Sequence, residues 1–522
     1  MKRCPECRRD YYDDSLLYCL YDGSVLTNDP DGADEPLTAR FAARPRGVPA
    51  PAETSQRSIA VLPFANVSPD DEAEYFSDGL ADELLNVLSK IKGLRVAGRT
   101  SAFSFKGKQT TVAEVGRQLN VASILEGSVR MAGKRMRISV QLVDVADGYH
   151  RWSHTYDRTM NDIFAVQDDI ANAVVEELRS RLASEESVST RAAVDVAGAA
   201  RGRADDPEAH RLMLFGRHLA ERGTPAELLR AVNYFEQALE IDPNNARCFL
   251  EIGIAHVLRA GYSIVDYAEA YEQGRAAAQE ALTLDPSLGV GHALLGRVQL
   301  RRSLDLAGAE ASVAKARELE PENGFVLLTA AHVSRALGRP GESLAMSREV
   351  LTFDPLNAGA HESVSRSAFL LGHLEEAENA ARRAIELTPQ AAYRHALLAL
   401  ILAVRGAFED ARVEAGLETV RPWMLWATGL VEAAAGCKDQ AEAALNSLMD
   451  AYANDCAFQI AELYAALGDV ENAFLQLNLA IESKDPGTAD ILTSAQLHAL
   501  HRDARWQPLL SGIGIPEEYS GL

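Results

Sequence analysis

Four residues near the start of the 522-residue chain have the types and spacing of a metal site. Two residues separate Cys4 from Cys7, and Cys19 and Asp22 repeat that gap further along. Such a gap lets both side chains of a pair turn onto one ion, and Zn²⁺ accepts thiolates and carboxylates as ligands. The first histidine is His150, so no imidazole is at hand. The candidate site is three cysteines with Asp22, or three cysteines with water in the fourth position. A piece as short as residues 1–28 cannot bury a core of its own, so zinc would supply its folding energy. The alternatives are a partly ordered tail without metal and a redox Cys-x-x-Cys, which lacks a βαβ unit around it. With all four positions filled by protein, the zinc is structural rather than hydrolytic.

The rest of the chain is poor in catalytic patterns. It has no Gly-rich phosphate cradle of either common form, no His-Glu-x-x-His, no Gly-x-Ser-x-Gly elbow and no protein-kinase motif set. The acids from Asp70 to Glu74 lack EF-hand spacing and read as a loop leading to a helix cap at Asp78. Arg99–Ser101 with Phe105–Lys108 reads as a structural turn, with an anion or effector as the sharper alternative. Arg130, Lys134, Arg135 and Arg137 form a basic hairpin tip that reads as solvated rather than nucleic-acid-binding. His150, Trp152, His154 and Tyr156 alternate along one strand face, but no third metal ligand accompanies the histidines.

Composition narrows the classes further. The formal net charge is −23 and the pI about 5.0, against the basic surface that nucleic-acid or anionic-membrane binding requires. The start shows no apolar segment of a secretory signal. The longest apolar run, Ala396–Val404, is too short to span a bilayer. Cys248, Cys437 and Cys456 are scattered as small core residues would be, not as a secreted disulfide framework. The expectation is a soluble, cytoplasmic chain.

The elements that position these residues are dominated by a repeat over 205–485. Pro243, Pro286, Pro321, Pro355 and Pro389 are spaced 43, 35, 34 and 34 apart, each closing an apolar-periodic run. Gly338, Gly372, Gly406, Gly436 and Gly468 are each followed five residues later by a small residue: Ser343, Ala377, Ala411, Ala441 and Ala473. Gly fits the turn between two helices, the small residue lets the paired helices approach, and proline stops the second helix. A period near 34 predicts a solenoid of helix–turn–helix units. Gly216, Ala231, Phe235, Ala238 and Pro243, and again Leu295, Gly296, Ala309, Ala316 and Pro321, resemble the tetratricopeptide repeat (TPR) family. About eight repeats are expected. The second carries an insertion around Gly261–Ala270, and the sixth to eighth lose the strict proline. The groove-facing residues are expected on the first helix of each pair, around Arg217, Arg297, Arg335 and Arg366.

Upstream, residues 57–183 read as an α/β domain. Strands are predicted at Ser58–Phe64 and at LRVAG. A helix is expected after Asp78 and Gly79, and a short one over Val112–Leu119. A hairpin follows over Ser123–Met131 and Arg135–Val145, then a strand near Tyr149–Tyr156 and a long helix over Ile163–Leu182. The motifs SIAVLPFANVSPDDEAEYFSDGLADELL, LRVAGRTSAFSFKGK, ILEGSVR, QLVDVADGYHRWSHTYDR and DIFAVQDDIA occur in order, and this stretch resembles the TolB-like amino-terminal domain of bacteria. That resemblance implies a signalling or regulatory scaffold and brings no catalytic residues with it. Members commonly carry a cyclase, winged-helix or kinase domain upstream; here residues 1–28 resemble a short bacterial zinc ribbon instead.

The resulting plan is multidomain: a small zinc ribbon (1–28), a linker (29–56), an α/β domain with a mixed sheet (57–183), a second linker (184–204) and an all-α TPR solenoid (205–485). A capping segment (486–522) follows, in which Trp506, Leu509 and Leu510 cover the last apolar face. The function expected is a non-enzymatic adaptor that binds a protein partner in the TPR groove. One alternative is a regulatory subunit or truncated relative of cyclase- or kinase-linked receptors. Another is a transcriptional regulator whose ribbon contacts DNA.

Overall fold

The computed structural model describes residues 2–3, 10–11, 27–28, 57–68, 72–91, 93–132, 135–159, 163–182, 206–222, 224–260 and 267–515. The chain divides into two compact units, Met1–Glu53 and Thr54–Leu522. In the first, β1 (Lys2–Arg3) pairs antiparallel with β2 (Asp10–Tyr11) and with β3 (Thr27–Asn28). Cys4, Cys7, Cys19 and Asp22 lie outside the described residues.

The second unit opens with a mixed sheet of β4 (Ser58–Val61), β5 (Ala65–Asn66), β6 (Arg95–Val96), β7 (Ser123–Ala132), β8 (Arg135–Asp144) and β9 (His150–Thr159). The strand order is β6-β4-β7-β8-β9, with β5 alongside β7. β4 is parallel to β6 and β7, while β7, β8 and β9 form an antiparallel meander. β4 is buried along its whole length, as its unbroken apolar run requires. β8 instead alternates, burying Met136, Ile138, Val140 and Leu142. Four helices accompany the sheet: α1 (Glu72–Ser89), α2 (Arg99–Phe103), α3 (Val112–Leu119) and α4 (Ile163–Leu182). Leu80, Leu84 and Leu88 of α1 and Val166, Ile170 and Val174 of α4 share a core with the sheet.

The helix cap expected at Asp78 is absent. Helix α1 already begins at Glu72, so Asp78 and Gly79 lie inside it. The physical reason is packing. A Cβ at Gly79 would stand 2.7 Å from Leu214 Cδ1, so the glycine serves close approach to the array rather than a helix start.

The array contains eight helix pairs among the described residues. The first helices are Pro207–Arg222, Ala246–Arg259, Gly289–Val298, Gly324–Ala336, Ala358–Leu370, Arg394–Val404, Arg421–Ala434 and Ala457–Ala466. The turns obey the local chemistry of their residues. Gly338, Gly372, Gly406, Gly436 and Gly468 all have φ between 74° and 80°. The residue after each donates its N–H to the carbonyl five positions back, as Ala407 does to Leu402 at 2.9 Å. This satisfies carbonyls that the helix end leaves open. Ser343, Ala377, Ala411, Ala441 and Ala473 are all fully buried at the helix–helix contact. The prolines act one step earlier than their own positions. Asp242, Glu320, Asp354 and Thr388, each just before a proline, have ψ of 81°, 70°, 65° and 83°, outside the helical region. Beyond the eighth pair, 3₁₀ segments at Pro486–Asp490 and Ala495–Arg502 precede a short helix, Trp506–Gly512. Trp506 and Leu510 are buried in a cluster with Phe474 and Leu477 of repeat 8, and Leu509 packs against it.

Candidate functional site

First helices of repeats 3 to 8 face one cavity of about 400 Å³, and the segment from Asp485 to Gln496 lines it on the other side. Its charged side chains follow the repeat phase. Arg297 lies in the first helix of repeat 3, Arg335 in that of repeat 4 and Arg366 in that of repeat 5. Arg301 joins them from a π-helical turn, Gln299–Ser303, that ends the repeat 3 helix and is followed by Leu304 at φ 51°. Helical wideners of this kind cluster at functional sites. Tyr393, at φ 75°, and Lys484, at φ 57° beside Asp485, are two more non-glycine residues in the left-handed region. Of these, only Tyr393 lines the cavity itself.

Three arginines converge on a single carboxylate. Arg366 Nη2 donates to Asp490 Oδ2 at 3.0 Å, Arg301 Nη1 lies 3.5 Å from the same oxygen, and Arg335 Nη2 is 3.6 Å from Oδ1. Arg301 also donates to the Pro486 carbonyl at 3.1 Å. Burial alone would push the Asp490 carboxyl up, but the guanidinium groups of Arg366, Arg301 and Arg335 hold it well below the usual range. Arg335 is 1% exposed, and burial with the neighbouring Arg366 charge pushes it down to about 10. Burial also lowers Arg297. His332, beside these groups, is held well below its ordinary value by burial and then by the charges of Arg335, Arg297, Arg301 and Arg366. The cavity thus gathers four arginines beside five acids, Glu362, Asp455, Glu462, Asp485 and Asp490.

The same cavity is lined by aromatic side chains. Tyr393, Trp423 and Trp426 form a cluster with ring centroids 5.0 to 6.0 Å apart, and the Arg366 guanidinium sits 5.1 Å over the Tyr393 ring. Trp426 Nε1 donates to Glu462 Oε2 at 2.9 Å and Ser494 Oγ to Glu462 Oε1 at 2.6 Å. Burial pushes the Glu462 carboxyl up to about 8, against those two hydrogen bonds.

Of the four groove arginines expected, the structure brings Arg297, Arg335 and Arg366 together and sets Arg217 elsewhere. Arg217 faces the α/β domain, where it pairs with Asp82 and with Glu83 at 2.9 Å, and it also meets Glu251 of the repeat 2 helix at 3.3 Å. Repeat 1 is docked on α1, so its inner arginine is used for assembly. The other candidates are also tied up in local pairs. Lys106 binds Asp78 at 2.5 Å and Glu74 at 2.6 Å, and Arg137 binds Asp157 at 2.7 Å. His154 stacks on Trp152 and meets the Tyr156 ring edge-on along β9. Sequence reasoning missed Arg301, Tyr393, Trp423, Trp426, Glu462 and Asp490. Arg301 had a signal, standing one helical turn after Arg297 on the same face.

Parts of the chain are similar to known proteins. A family model for the HilA/YgeH-like transcriptional regulator, second domain, matches residues 55–173. A tetratricopeptide-repeat model matches residues 227–245, the second helix of repeat 1 and the turn after it. A protein of Rhizobium meliloti (strain 1021) named "Putative adenylate cyclase 3" is 36% identical over 252 residues, covering 47% of this chain and 40% of that protein. The chain therefore spans less than half the length of that relative. Among solved structures, Pseudomonas aeruginosa PilF is similar at TM-score 0.33 and 17% identity, over 43% of this chain and 98% of that one. A human IFIT1 dimer with m7Gppp-AAAA is similar at TM-score 0.39 and 15% identity, over 62% and 87% of the two chains. YrrB, described as a TPR protein with an unusual peptide-binding site, is similar at TM-score 0.25 and 22% identity, over 38% and 92%. Among the described residues no helix is long and apolar enough to cross a membrane.

Proposed function

We propose that the chain is a non-enzymatic cytoplasmic adaptor that binds a protein partner through the groove of its TPR array. The observation that carries this reading is the convergence of Arg301, Arg335 and Arg366, from three successive repeats, on one carboxylate. A groove that holds Asp490 of its own chain has the chemistry to hold an acidic, extended segment of a partner. The tetratricopeptide match and the stacked helix pairs support the reading, because such stacks present a continuous binding surface. Residues 57–183, with their resemblance to TolB-like domains, would serve sensing or assembly. Residues 1–28, holding structural zinc through Cys4, Cys7, Cys19 and Asp22, would be a docking piece. The test is affinity capture from native cytosol with the full chain as bait. The parent and an outer-helix control, Arg348→Ala, should retain the same partner, while the pair Arg301→Ala/Arg366→Ala should lose it with its circular dichroism intact. Equal capture by all three would remove the groove from the account.

A second reading is a regulatory chain acting in trans on an adenylate cyclase, and the identity shared with the Rhizobium meliloti protein favours it. Unchanged activity of a partner cyclase on addition of this chain would end it. The match of residues 55–173 to a regulator domain favours a third, transcriptional reading, which the net charge of −23 opposes. An electrophoretic shift assay with duplex DNA at low salt decides it.

A further inference from the structure

We infer that the cavity between repeats 3 to 8 and the Asp485–Gln496 segment is a binding site for a small organic molecule carrying at least two negative charges and a flat ring. This goes beyond the adaptor reading, which concerns a protein partner.

The charge requirement comes from guanidinium groups that the protein leaves unmatched. Arg297 makes no hydrogen bond or ion pair among the described residues. Arg335 is 1% exposed, yet its Nε and Nη1 have no partner, and its only acid is the shared Asp490 at 3.6 Å. Buried donors left unmade are expensive, and unpaired buried charges more so. The remaining acids give them no hydrogen bond, and Glu362 acts on Arg297 only through its charge. Glu362 is taken by Arg394 at 3.1 Å. Asp485 accepts the backbone N–H groups of Phe458 at 3.1 Å and Gly487 at 2.7 Å. Glu462 is bound by Ser494 and Trp426, and burial favours its neutral form. Asp455 lines the cavity from an exposed position. Arg301 and Arg366 thus share Asp490, while Arg297 and the Nε and Nη1 of Arg335 keep no acceptor, so a ligand with two negative charges would meet the two open guanidinium groups.

The ring requirement comes from the aromatic wall. Trp423 and Tyr393 are only partly buried, and they line the same space as the arginines. The volume of about 400 Å³ suits a small molecule.

The test uses the purified full chain with no partner present, so its outcome is independent of partner capture. Adenosine monophosphate and isophthalate are the probes, one carrying phosphate and the other carboxylates. Adenosine and inorganic phosphate are the controls, all at matched ionic strength. At least one probe should raise the melting temperature saturably, and which one responds tells phosphate from carboxylate recognition. Arg297→Gln should weaken that binding about tenfold or more, the effect of losing one charge-assisted contact. Without probe its own melting temperature should equal or exceed the parent's, since it removes a cation that no protein group pairs. Three results would overturn the inference: no rise with either probe at millimolar concentration, an equal rise with adenosine, or unchanged affinity in Arg297→Gln. Inorganic phosphate binding as tightly as the probes would overturn the ring requirement.

Discussion

Glu462 is an acid buried against tryptophan and serine, and its environment has a measurable consequence. Burial raises its carboxyl to about 8, so the folded chain keeps a proton that the unfolded chain releases near the ordinary carboxylate value. Where the folded state binds more protons, stability falls as pH rises. The fall continues up to about pH 8 and amounts to at most ~1.4 kcal/mol per pH unit for one proton. The melting temperature should therefore decline as pH rises towards that value. Glu462→Gln can keep both hydrogen bonds without ionising, and should flatten the decline. An unchanged slope in the variant would show that another group is responsible. At the same scale, metal analysis of the purified full chain should find one zinc per chain, and Cys7→Ser should remove it. A zinc-free chain with free thiols at Cys4, Cys7 and Cys19 would refute the metal site.

At the scale of elements, the α/β domain is fastened to the array at two places. Helix α1 presents Asp82 and Glu83, both almost fully buried, to Arg217, and Glu83 also meets Arg247 at 3.3 Å. The second contact uses a repeat turn. Asp354, just before Pro355, accepts the Ser101 backbone N–H at 2.8 Å and its hydroxyl, while Gly98 N–H donates to the Phe353 carbonyl at 2.7 Å. A Cβ at Gly98 would stand 2.3 Å from Asp354 Cγ, so only glycine fits there. Gly98→Ala should loosen this contact without unfolding either part. The expected readout is faster hydrogen exchange confined to residues 95–104 and 352–357, with the core strand Ser58–Val61 unchanged. Uniform acceleration across the chain would mean global destabilisation instead. Without Arg217, Asp82 keeps Arg99 and Glu83 keeps Arg247, so Arg217→Ala should cost about 1.5–3 kcal/mol of docking or folding free energy, the scale of hydrogen bonds to charged groups. A melting-temperature shift within a degree of the parent would contradict it.

At the scale of the whole molecule, Asp490 ties the C-terminal segment to repeats 3, 4 and 5 together. Without it, Arg301, Arg335 and Arg366 repel one another in a poorly solvated space. Asp490→Asn should lower the melting temperature by several degrees, and added salt or a multivalent anion should restore part of the loss by screening. Loss of stability that salt does not relieve would point to packing rather than charge. The same variant should expose residues 486–502 to protease before the repeats themselves are cut.

The sequence by itself determined the local grammar of the array. Positive-φ turns need glycine, helix crossings need a small residue, and a residue before proline leaves the helical region. Each of these is a short-range constraint written within a few neighbouring positions, which is why the phase from Gly338 to Gly468 was legible. The hairpin of β7 and β8 and the helices α3 and α4 were legible for the same reason, through their periodicity. Gly79 was misread because a glycine that admits a neighbouring helix looks locally like one that starts a helix. Only the tertiary structure decided which arginines share a space. It drew Arg217 into the domain contact, and it brought Asp490 to Arg366 across 124 residues of chain. Nothing near Asp490 in sequence announces that contact, because the field it sits in is summed over side chains from three repeats that meet only when the array has folded.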